Sequence, residues 1–347
     1  MQNTIHDDLS GTLRAIALFG IALAGLTGPA LAQAKTTCNN PNALGIARTV
    51  EVDTTGGPAF GFEQYRLHDF LLLKEIVLTF DDGPSPKNTR AVLDALAQQC
   101  TKAIFFPVGK HALRHPEILK EVAAAGHTIG GHTWSHANLA NEKSWPKRVV
   151  RNALPEASAS SRAIEEIEKG FSAIKLATGE APAPFFRFPY LQAPKEAMEY
   201  MATRKIAVFS HDLDSFDFRK GSPEDVIKSV LGKLERKGKG IILMHDLKQH
   251  TAAALPQLLS ELKAQGYKVV HMRPKARLTT LAEWDTAAKA EIKGGGVVDR
   301  PNSSAVRTIE GAPAATADTA DTPAQGRSEP TCWLCIPAFL RSLVAAP

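Results

Sequence analysis

The sequence predicts an α/β fold in the form of an incomplete or distorted β/α barrel. From residue 76 onward, short apolar runs alternate with amphipathic stretches of helical period. The apolar runs are continuous rather than alternating with polar residues, which indicates parallel strands covered on both faces. About seven such units fit within roughly 200 residues, which favours one barrel over two separate domains.

Most of the predicted strands are short runs rich in Val, Ile, Leu or Phe, beginning with Ile76–Phe80. Each predicted helix is a longer stretch whose apolar residues recur with a helical period. The strands are predicted near 76–80, 103–108, 127–130, 185–188, 206–210, 240–244 and 267–271. The helices are predicted near 89–98, 116–125, 158–178, 194–204, 222–236 and 251–265.

The N-terminus has the features of a secretory signal peptide. Arg14 precedes an apolar stretch over 15–26 that is shorter than a membrane span, and Ala30–Ala32 form the small-residue pattern of a cleavage site. We therefore predict a signal peptide over 1–32 and export to the periplasm or the extracellular space. An uncleaved anchor helix is the alternative.

Export allows the four cysteines to form disulfides, because the compartment outside the cytoplasm is oxidising. Cys38 and Cys100 flank the first part of the main domain, whereas Cys332 and Cys335 lie together near the C-terminus. We predict a Cys38–Cys100 bridge, with the second pair either bridged locally or free. A zinc site is not expected at the second pair, since no histidine lies near it in the sequence.

Composition sets the remaining boundaries. Residues 294–331 contain no Phe, Trp, Tyr or Leu, which predicts a disordered linker. We therefore divide the chain after the signal peptide into an extension over 33–69, a main domain over 70–285, and a dispensable low-complexity linker and tail over 286–347. The net charge of +5 is spread without a basic stripe, and no later apolar run is long enough to span a membrane. The first observation excludes a nucleic-acid-binding protein, and the second excludes a multi-pass membrane protein.

Polar residues collect where the predicted strands end, and barrel enzymes build their sites there. The first strand runs directly into Asp81 and Asp82. Because side chains alternate along an extended chain, these two carboxylates point in different directions. One can then bind a metal while the other faces a water molecule beside it. A turn before the first helix is the alternative role of this pair.

His132 and His136 follow the third predicted strand. Histidines four residues apart fall on one face of a helical turn, so both imidazoles can reach one ion. Together with a carboxylate such as Asp82 they form a site with open coordination positions. Such a site suits hydrolytic zinc and also the iron of non-haem oxygenases, and the β/α alternation favours the first.

Further strand ends carry candidate catalytic groups. Arg187 ends one strand, where it can orient a carboxylate through two hydrogen bonds, and His245 ends the sixth strand. The segment 211–218 adds several carboxylates after the fifth strand. Each of these groups, taken alone, is explained equally well by a purely structural role. Their recurrence at the same end of successive strands favours a catalytic site.

Five ordered segments resemble the motifs of the polysaccharide deacetylases, the NodB-homology enzymes of carbohydrate esterase family 4. The segments are Thr79–Pro84, His132–His136, Arg187–Tyr190, Asp214–Phe218 and Leu243–Asp246. The resemblance covers roughly residues 70–275, and five motifs in the same order make it specific. It implies a distorted (β/α)7 barrel that removes acetyl groups from sugars with the help of a metal.

The resemblance also implies a role for each motif residue. Asp82, His132 and His136 are implied as the metal ligands, and zinc is the expected metal, with cobalt, manganese and nickel as alternatives. Asp81 is implied as the general base, held in position by Arg187.

The remaining motifs imply the acid and the substrate pocket. His245 is implied as the general acid, oriented by Asp217, and the backbone N–H of Tyr190 is implied as an oxyanion donor. The predicted substrate-binding residues are Pro189, Phe218 and Leu243. The fourth motif of the family usually ends in Trp, whereas this chain has Phe218. This difference makes the shape of the acetyl pocket less certain.

These observations lead to one functional hypothesis. We predict an exported, monomeric deacetylase of N-acetylglucosamine-containing glycans such as peptidoglycan, chitooligosaccharide or an exopolysaccharide. An acetylated glycan is the expected partner. An O-acetyl-xylan esterase of the same family and a non-catalytic glycan-binding relative are the alternatives.

Overall fold

A computed structural model describes residues 38, 40–141, 159–219 and 221–293 of the chain. The predicted signal peptide, the linker over 294–331 and the Cys332–Cys335 pair lie outside the described residues. None of the described helices combines the length and apolar character that a transmembrane span needs.

The described residues contain ten strands, and every strand pairing in the two sheets is parallel. The strands are β1 (Arg48–Val52), β2 (Ala59–Phe60), β3 (Glu75–Asp82), β4 (Ile104–Pro107), β5 (Thr128–Ile129), β6 (Phe185–Phe186), β7 (Ala207–Phe209), β8 (Leu213–Asp214), β9 (Gly240–His245) and β10 (Lys268–Pro274). All seven strands predicted from the apolar runs are present.

Eight α-helices lie among the same described residues, together with a 3₁₀ turn over Pro189–Leu191. The helices are α1 (Asn88–Gln98), α2 (Gly109–Arg114), α3 (Pro116–Ala124), α4 (Ala159–Thr178), α5 (Lys195–Thr203), α6 (Pro223–Lys237), α7 (Gln249–Ala264) and α8 (Ala282–Lys293). All six predicted helices are present. Helix α6 shows how the sequence sets such boundaries, because Ser222 and Asp225 form a capping box and Gly238 ends the helix in the left-handed conformation.

The two sheets together form an incompletely hydrogen-bonded barrel. In the longer sheet the order is β1-β10-β3-β4-β5, and β9 pairs with both β3 and β8. The shorter sheet has the order β2-β7-β6. A bridge between Gly131 and Phe186 connects the two, just beyond β5. The predicted fold class, a distorted barrel of alternating strands and helices, is confirmed.

Strand side chains divide between the barrel interior and the layer of helices. Alternate residues of β3 illustrate this, since Val77 lies in the inner cluster whereas Ile76 and Leu78 lie in the outer one. The inner cluster includes Ile104, Phe106, Phe185, Phe209 and Ile241. Burial on both faces explains why the strands read as continuous apolar runs.

The predicted disulfide between Cys38 and Cys100 is present, with a Cα–Cα separation of 5.6 Å. It joins the start of the described chain to the residue that follows Gln99, the C-cap of α1. A bridge that closes a loop of this length, 62 residues apart in sequence, stabilises the folded state by about 4 kcal/mol in the chain-entropy treatment.

Several elements were not predicted from the sequence. Strands β1 and β2 lie within the region predicted as an extension, and they pair with β10 and β7. Helix α8 continues to Lys293, past the predicted end of the main domain at residue 285. It packs against α4 through the ion pairs Lys169–Glu291 and Lys175–Asp285, at 2.6 and 2.7 Å.

This packing changes where a dispensable tail can begin. Truncation after Trp284 is expected to lower the thermal unfolding temperature by several degrees, because it removes most of α8 with the partners of Lys169 and Lys175. Truncation after Lys293 is expected to leave it near the parental value, since residues 294–331 contain no Phe, Trp, Tyr or Leu. A large loss there would instead show that the apolar segment 332–340 packs on the main domain. Differential scanning fluorimetry on both variants makes the comparison. Equal unfolding temperatures would contradict a structural role for α8.

Candidate active site

The two carboxylates at the end of β3 have different surroundings, as alternation along the strand predicts. Asp81 is buried, whereas the side chain of Asp82 is 18% exposed. Asp82 has a φ of 74°, in the left-handed region, and the ring of His111 bonds to its backbone oxygen at 2.7 Å. A carbonyl can only accept, so Nδ1 of His111 donates this hydrogen bond. The turn after β3 therefore holds the carboxylate of Asp82 in one direction.

Asp82, His132 and His136 form a cluster that can hold a metal ion. Oδ1 of Asp82 lies 3.4 Å from Nε2 of His132 and 3.2 Å from Nε2 of His136. The three candidate ligand atoms all lie within 4.8 Å of one another. The Asp82 oxygen is buried, and no described residue gives it a hydrogen bond of acceptable geometry. Converging ligand atoms with an unsatisfied buried oxygen are what a cation would stabilise, so these residues fit a divalent metal.

The orientation of His132 is fixed by its other ring nitrogen. Nδ1 donates to the backbone oxygen of Arg187 at 2.6 Å, which leaves the lone pair of Nε2 facing the cluster. An ionised carboxylate and a neutral imidazole are the forms that bind metals.

Helix α4 supports the loop that carries the two histidines, and sequence reasoning missed this contact. The carboxylate of Glu166 accepts hydrogen bonds at 2.8 Å from both the backbone N–H and the hydroxyl of Ser135. The helical turn expected for His132 and His136 is absent, and the loop that replaces it has positive φ values of 65° at Thr133 and 61° at His136. Gly170 lets the helix approach closely, because a Cβ there would lie 2.7 Å from the carbonyl carbon of Thr133. A buried carboxylate and a glycine thus hold an unusual backbone in place.

Glu166→Gln is expected to weaken metal binding about tenfold, the lower end of the usual effect of groups that orient metal ligands. The amide carries no charge, and its NH₂ must donate to the Ser135 hydroxyl instead of accepting from it, so the loop is held less firmly. The metal dissociation constant is measured by competition with a chromophoric chelator, beside the unfolding temperature. Glu165→Gln, one position away, is the matched control. An unchanged dissociation constant in both Glu166→Gln and Glu166→Ala would show that the loop does not depend on α4.

Asp81 and Arg187 form a buried ion pair, which is the contact implied by the motifs. Nη1 of Arg187 lies 2.8 Å from Oδ1 of Asp81 and also donates to the hydroxyl of Thr79 at 2.7 Å. Nη2 donates to the backbone oxygen of Ser210 at 2.8 Å, and the guanidinium carbon lies 4.6 Å from the ring centre of Phe106. The arginine is fully buried and held on several sides, so it fixes the direction of the Asp81 carboxylate.

His245 and Asp217 form a second pair beside the first. In the parallel register of β3 and β9, His245 lies directly opposite Asp81. Nδ1 of His245 is 2.6 Å from Oδ1 of Asp217, while Oδ2 accepts from the His245 backbone N–H at 2.7 Å and from Thr251 at 2.6 Å. Each oxygen of Asp217 is therefore occupied, and the imidazole is held with Nε2 directed away from this carboxylate.

The charges around His245 favour its protonated form. Burial alone would lower its pKa, but Asp217 outweighs burial and, together with Asp82 and Asp81, raises the pKa of His245 to about 10. Burial raises the pKa of Asp217, and the charge and hydrogen bond of His245 overcome this and lower it. The pair is therefore an imidazolium and a carboxylate at neutral pH.

The other predicted site residues lie around these two pairs. Tyr190 has a φ of 58°, its side chain is 47% exposed, and its ring centre lies 4.9 Å from that of His136. Pro189 and Leu243 are buried. The ring of Phe218 lies 6.2 Å from that of His245. Phe218 is thus beside the predicted acid.

Asp246 is a further buried group at this end of the barrel, and its place in the fold was not predicted. Its Oδ2 accepts from the hydroxyl of Thr89 at 2.5 Å, and burial raises its pKa to about 7. A Cβ on Gly83 would lie 2.1 Å from the same oxygen. Glycine is therefore required immediately after Asp82, where β3 turns toward α1.

Comparison with known proteins points to the same family as the five motifs. A family model described as polysaccharide deacetylase matches residues 73–208. A peptidoglycan-N-acetylglucosamine deacetylase of Bacillus cereus is 30% identical over 200 residues, which cover 57% of this chain and 85% of the relative. The chain belongs to the polysaccharide deacetylase family. The resemblance drawn from the five motifs is thereby confirmed.

Two further members of the polysaccharide deacetylase family extend the comparison. A chitooligosaccharide deacetylase of Sinorhizobium fredii is 28% identical over 237 residues, covering 65% of this chain and 94% of the relative. A solved peptidoglycan deacetylase of Bdellovibrio bacteriovorus superposes with a TM-score of 0.56 at 32% identity, covering 66% of this chain and 59% of that chain. For two other peptidoglycan-N-acetylglucosamine deacetylases, of Bacillus cereus and Listeria monocytogenes, this chain covers 66% and 38% of the relative's length.

Proposed function

We propose that the protein is an exported, metal-dependent hydrolase that removes N-acetyl groups from a glycan containing N-acetylglucosamine. One observation carries the proposal: an anchored carboxylate, Asp81, lies directly opposite the imidazole of His245, beside the cluster of candidate metal ligands. The names of the relatives, which specify deacetylation of peptidoglycan and chitooligosaccharides, support the same chemistry. The predicted signal peptide over 1–32 supports a periplasmic or extracellular location.

Asp82, His132 and His136 are proposed to hold the metal, with zinc as the first choice ahead of cobalt, manganese and nickel. Their separations of 3.4 and 3.2 Å match the edge of about 3.3 Å expected when tetrahedral ligands lie about 2.0–2.1 Å from zinc. A divalent metal held by these residues would supply Lewis-acid chemistry, polarising the acetyl carbonyl and lowering the pKa of water, which falls to about 7 in favourable zinc sites.

Asp81 is proposed to remove the proton from the attacking water. Arg187 bonds to its Oδ1, which leaves Oδ2 to accept the proton. Because the guanidinium is itself held by Thr79 and Ser210, the base keeps its direction through the reaction. Positioning of this kind is a large part of what an enzyme contributes to a rate.

His245 is proposed to donate a proton to the departing amine. The role requires a charged imidazole at working pH, and a pKa of about 10 provides one. Nδ1 is bonded to Asp217, so Nε2 is the atom that donates. Asp217 keeps the ring in the correct orientation and stabilises its charge.

The backbone N–H of Tyr190 is proposed to bind the oxyanion, while Pro189, Leu243 and Phe218 line the site for the acetyl group. Tyr190 lies at the first turn after β6, next to His136. Its positive φ turns the backbone away from the extended direction. A fixed N–H donor contributes roughly 3–4 kcal/mol to transition-state stabilisation in comparable enzymes.

Tyr190→Phe is therefore expected to change kcat/KM by less than about threefold, because the assigned donor is the backbone N–H and the substitution keeps it. Tyr190→Pro removes that N–H and also displaces the backbone, because proline cannot adopt the φ of 58° found here, and it is expected to lower kcat by at least about two orders of magnitude. Acetate release is measured for both variants beside their unfolding temperatures. A large loss in a folded Tyr190→Phe protein would assign the hydroxyl to the reaction instead.

Amide and ester substrates test the proposed function itself. The zinc-loaded protein is incubated with N-acetylglucosamine oligomers and, separately, with O-acetylated xylan, and released acetate is quantified. We expect turnover of the oligomers. Turnover of the xylan ester alone would assign the protein to ester hydrolysis, and binding of oligomers without acetate release from either substrate would make it a glycan-binding relative.

A further inference from the structure

Phe216 is an exposed aromatic residue in a strained backbone conformation. Its side chain is 39% exposed and its φ is 58°, which is unusual for a bulky residue. The backbone N–H of Phe216 donates to Oδ1 of Asp214 at 2.8 Å, which helps to hold the turn. Strain of this kind persists where the surroundings enforce it, and it concentrates at binding and catalytic sites.

Two cations lie against this ring. Nζ of Lys233 is 3.6 Å from the ring centre of Phe216, and the guanidinium carbon of Arg219 is 4.3 Å from it. Lys233 is fixed, because it also donates to Ser229 at 2.9 Å and to the backbone oxygen of Asp214. Within the described part of the chain, no carboxylate lies within ion-pair distance of Arg219. Its guanidinium lies instead over the rings of Phe216 and Phe218.

Positive charge exceeds negative charge around this turn. Burial lowers the pKa of Lys233, and repulsion from Arg236, Arg219 and Lys237 lowers it further, with only Asp214 opposing. A surface on which cations destabilise one another attracts anionic ligands.

The turn adjoins the predicted acid through a second aromatic ring. The rings of Phe216 and Phe218 are 6.0 Å apart, and those of Phe218 and His245 are 6.2 Å apart. The guanidinium carbon of Arg219 is 5.6 Å from the centre of Phe218. Arg219 is therefore near enough to contact a sugar next to the one whose acetyl group is removed.

We propose that Phe216 and Arg219 form a subsite for a carboxylate-bearing sugar, so that the enzyme prefers a glycan with a carboxylate beside the N-acetylglucosamine unit over a neutral glycan. This inference rests on the proposed deacetylase function. The exposed part of the Phe216 ring can contact the sugar, and Lys233 and Arg219 lie against the rest of the ring. Arg219 binds the carboxylate, a group whose two oxygens match the planar donors of a guanidinium.

The test compares two oligosaccharides of equal length on the zinc-loaded protein: a peptide-free fragment alternating N-acetylglucosamine with N-acetylmuramic acid, and a neutral N-acetylglucosamine oligomer. Arg219→Gln is expected to lower kcat/KM for the acidic fragment about 10- to 100-fold, the usual range for a lost charged hydrogen bond. It is expected to leave the neutral oligomer within about twofold. Added salt should weaken the parental preference for the acidic fragment.

Arg66→Gln is the matched control, since it removes the same charge from an exposed arginine. Arg66 lines a cavity beside Gly240 and Ile241, at the start of β9 and away from His245. The control should behave as the parent on both substrates.

Dissociation constants of the acidic fragment, measured by calorimetry with Asp81→Asn and with Asp81→Asn/Arg219→Gln, give a second readout that needs no turnover.

Two results would overturn the inference. One is a kcat/KM of folded Arg219→Gln that does not distinguish the two substrates, because it falls equally on both or falls on neither. The other is equal affinity of the two Asp81→Asn proteins for the acidic fragment. A parent that binds the acidic fragment in an Arg219-dependent manner but releases no acetate would instead refute the proposed function and leave the subsite in place.

Discussion

Asp82→Ala, His132→Ala and His136→Ala are each expected to abolish acetate release and to reduce the bound metal to a small fraction of the parental content. The expectation follows from the three ligand atoms, which lie within 4.8 Å of one another with the Asp82 oxygen otherwise unsatisfied. Two remaining ligands bind a metal far more weakly than three. Metal content is measured by mass spectrometry after dialysis, and acetate release on the same samples.

Asp94→Ala provides the control for this set, because Asp94 is an exposed carboxylate on α1. It should keep parental metal content and activity. The Asp82 assignment requires that folding survive its replacement, so unfolding temperatures accompany each measurement. A triple variant with full metal content and turnover would refute the assigned site.

Asp81→Asn and His245→Ala are expected to keep the metal and still lose two to four orders of magnitude in kcat, the usual contribution of general acid–base groups. Neither residue belongs to the metal cluster. Both are buried or nearly so and lie opposite each other across β3 and β9. Metal content equal to the parent, with activity lost, is the pattern that distinguishes them from the ligands. Loss of metal in either variant would place it among the ligands instead.

The pH dependence of kcat gives a sharper test of His245. Its pKa is raised to about 10, chiefly by Asp217 against the opposing effect of burial, so the acid is protonated at neutral pH and loses its proton only in alkaline solution. The parent should therefore show an alkaline limb well above the ordinary histidine pKa of about 6.5. Asp217→Asn should move that limb to lower pH, and His245→Ala should lose it. An alkaline limb unchanged in both variants would remove His245 from the acid role.

Much of the fold could be predicted because its strands are buried on both faces. Continuous apolar runs mark β3, β4 and β9 clearly in the sequence. Strands β2 and β8 have two residues each and lie among glycine, proline and polar residues, so no apolar run marks them in the sequence. They exist because neighbouring strands provide the hydrogen-bonding edges, and this is a tertiary effect.

The candidate site also combines residues that could be predicted from the sequence with residues that could not. The motifs correctly placed Asp82, His132 and His136 together near the ends of β3 and β5. The route differed from the expectation, because a loop with positive φ values, not a helical turn, brings the two histidines to one point. Glu166 gave no comparable signal, since acidic residues are common on the solvent face of an amphipathic helix. Its burial depends on how α4 packs on the histidine loop. Arg219 likewise acquires meaning only through the fold, which brings Lys233 of α6 to the same aromatic ring.

A single titration tests the central claim most directly. The protein is stripped of metal with a chelator, and zinc is added back in steps while bound zinc and acetate release from an N-acetylglucosamine oligomer are measured together. We predict no release from the stripped protein, and release that rises in proportion to bound zinc until one ion per chain is reached, with no recovery in Asp82→Ala. Full activity in the stripped protein, or recovery in Asp82→Ala equal to that of the parent, would contradict the account.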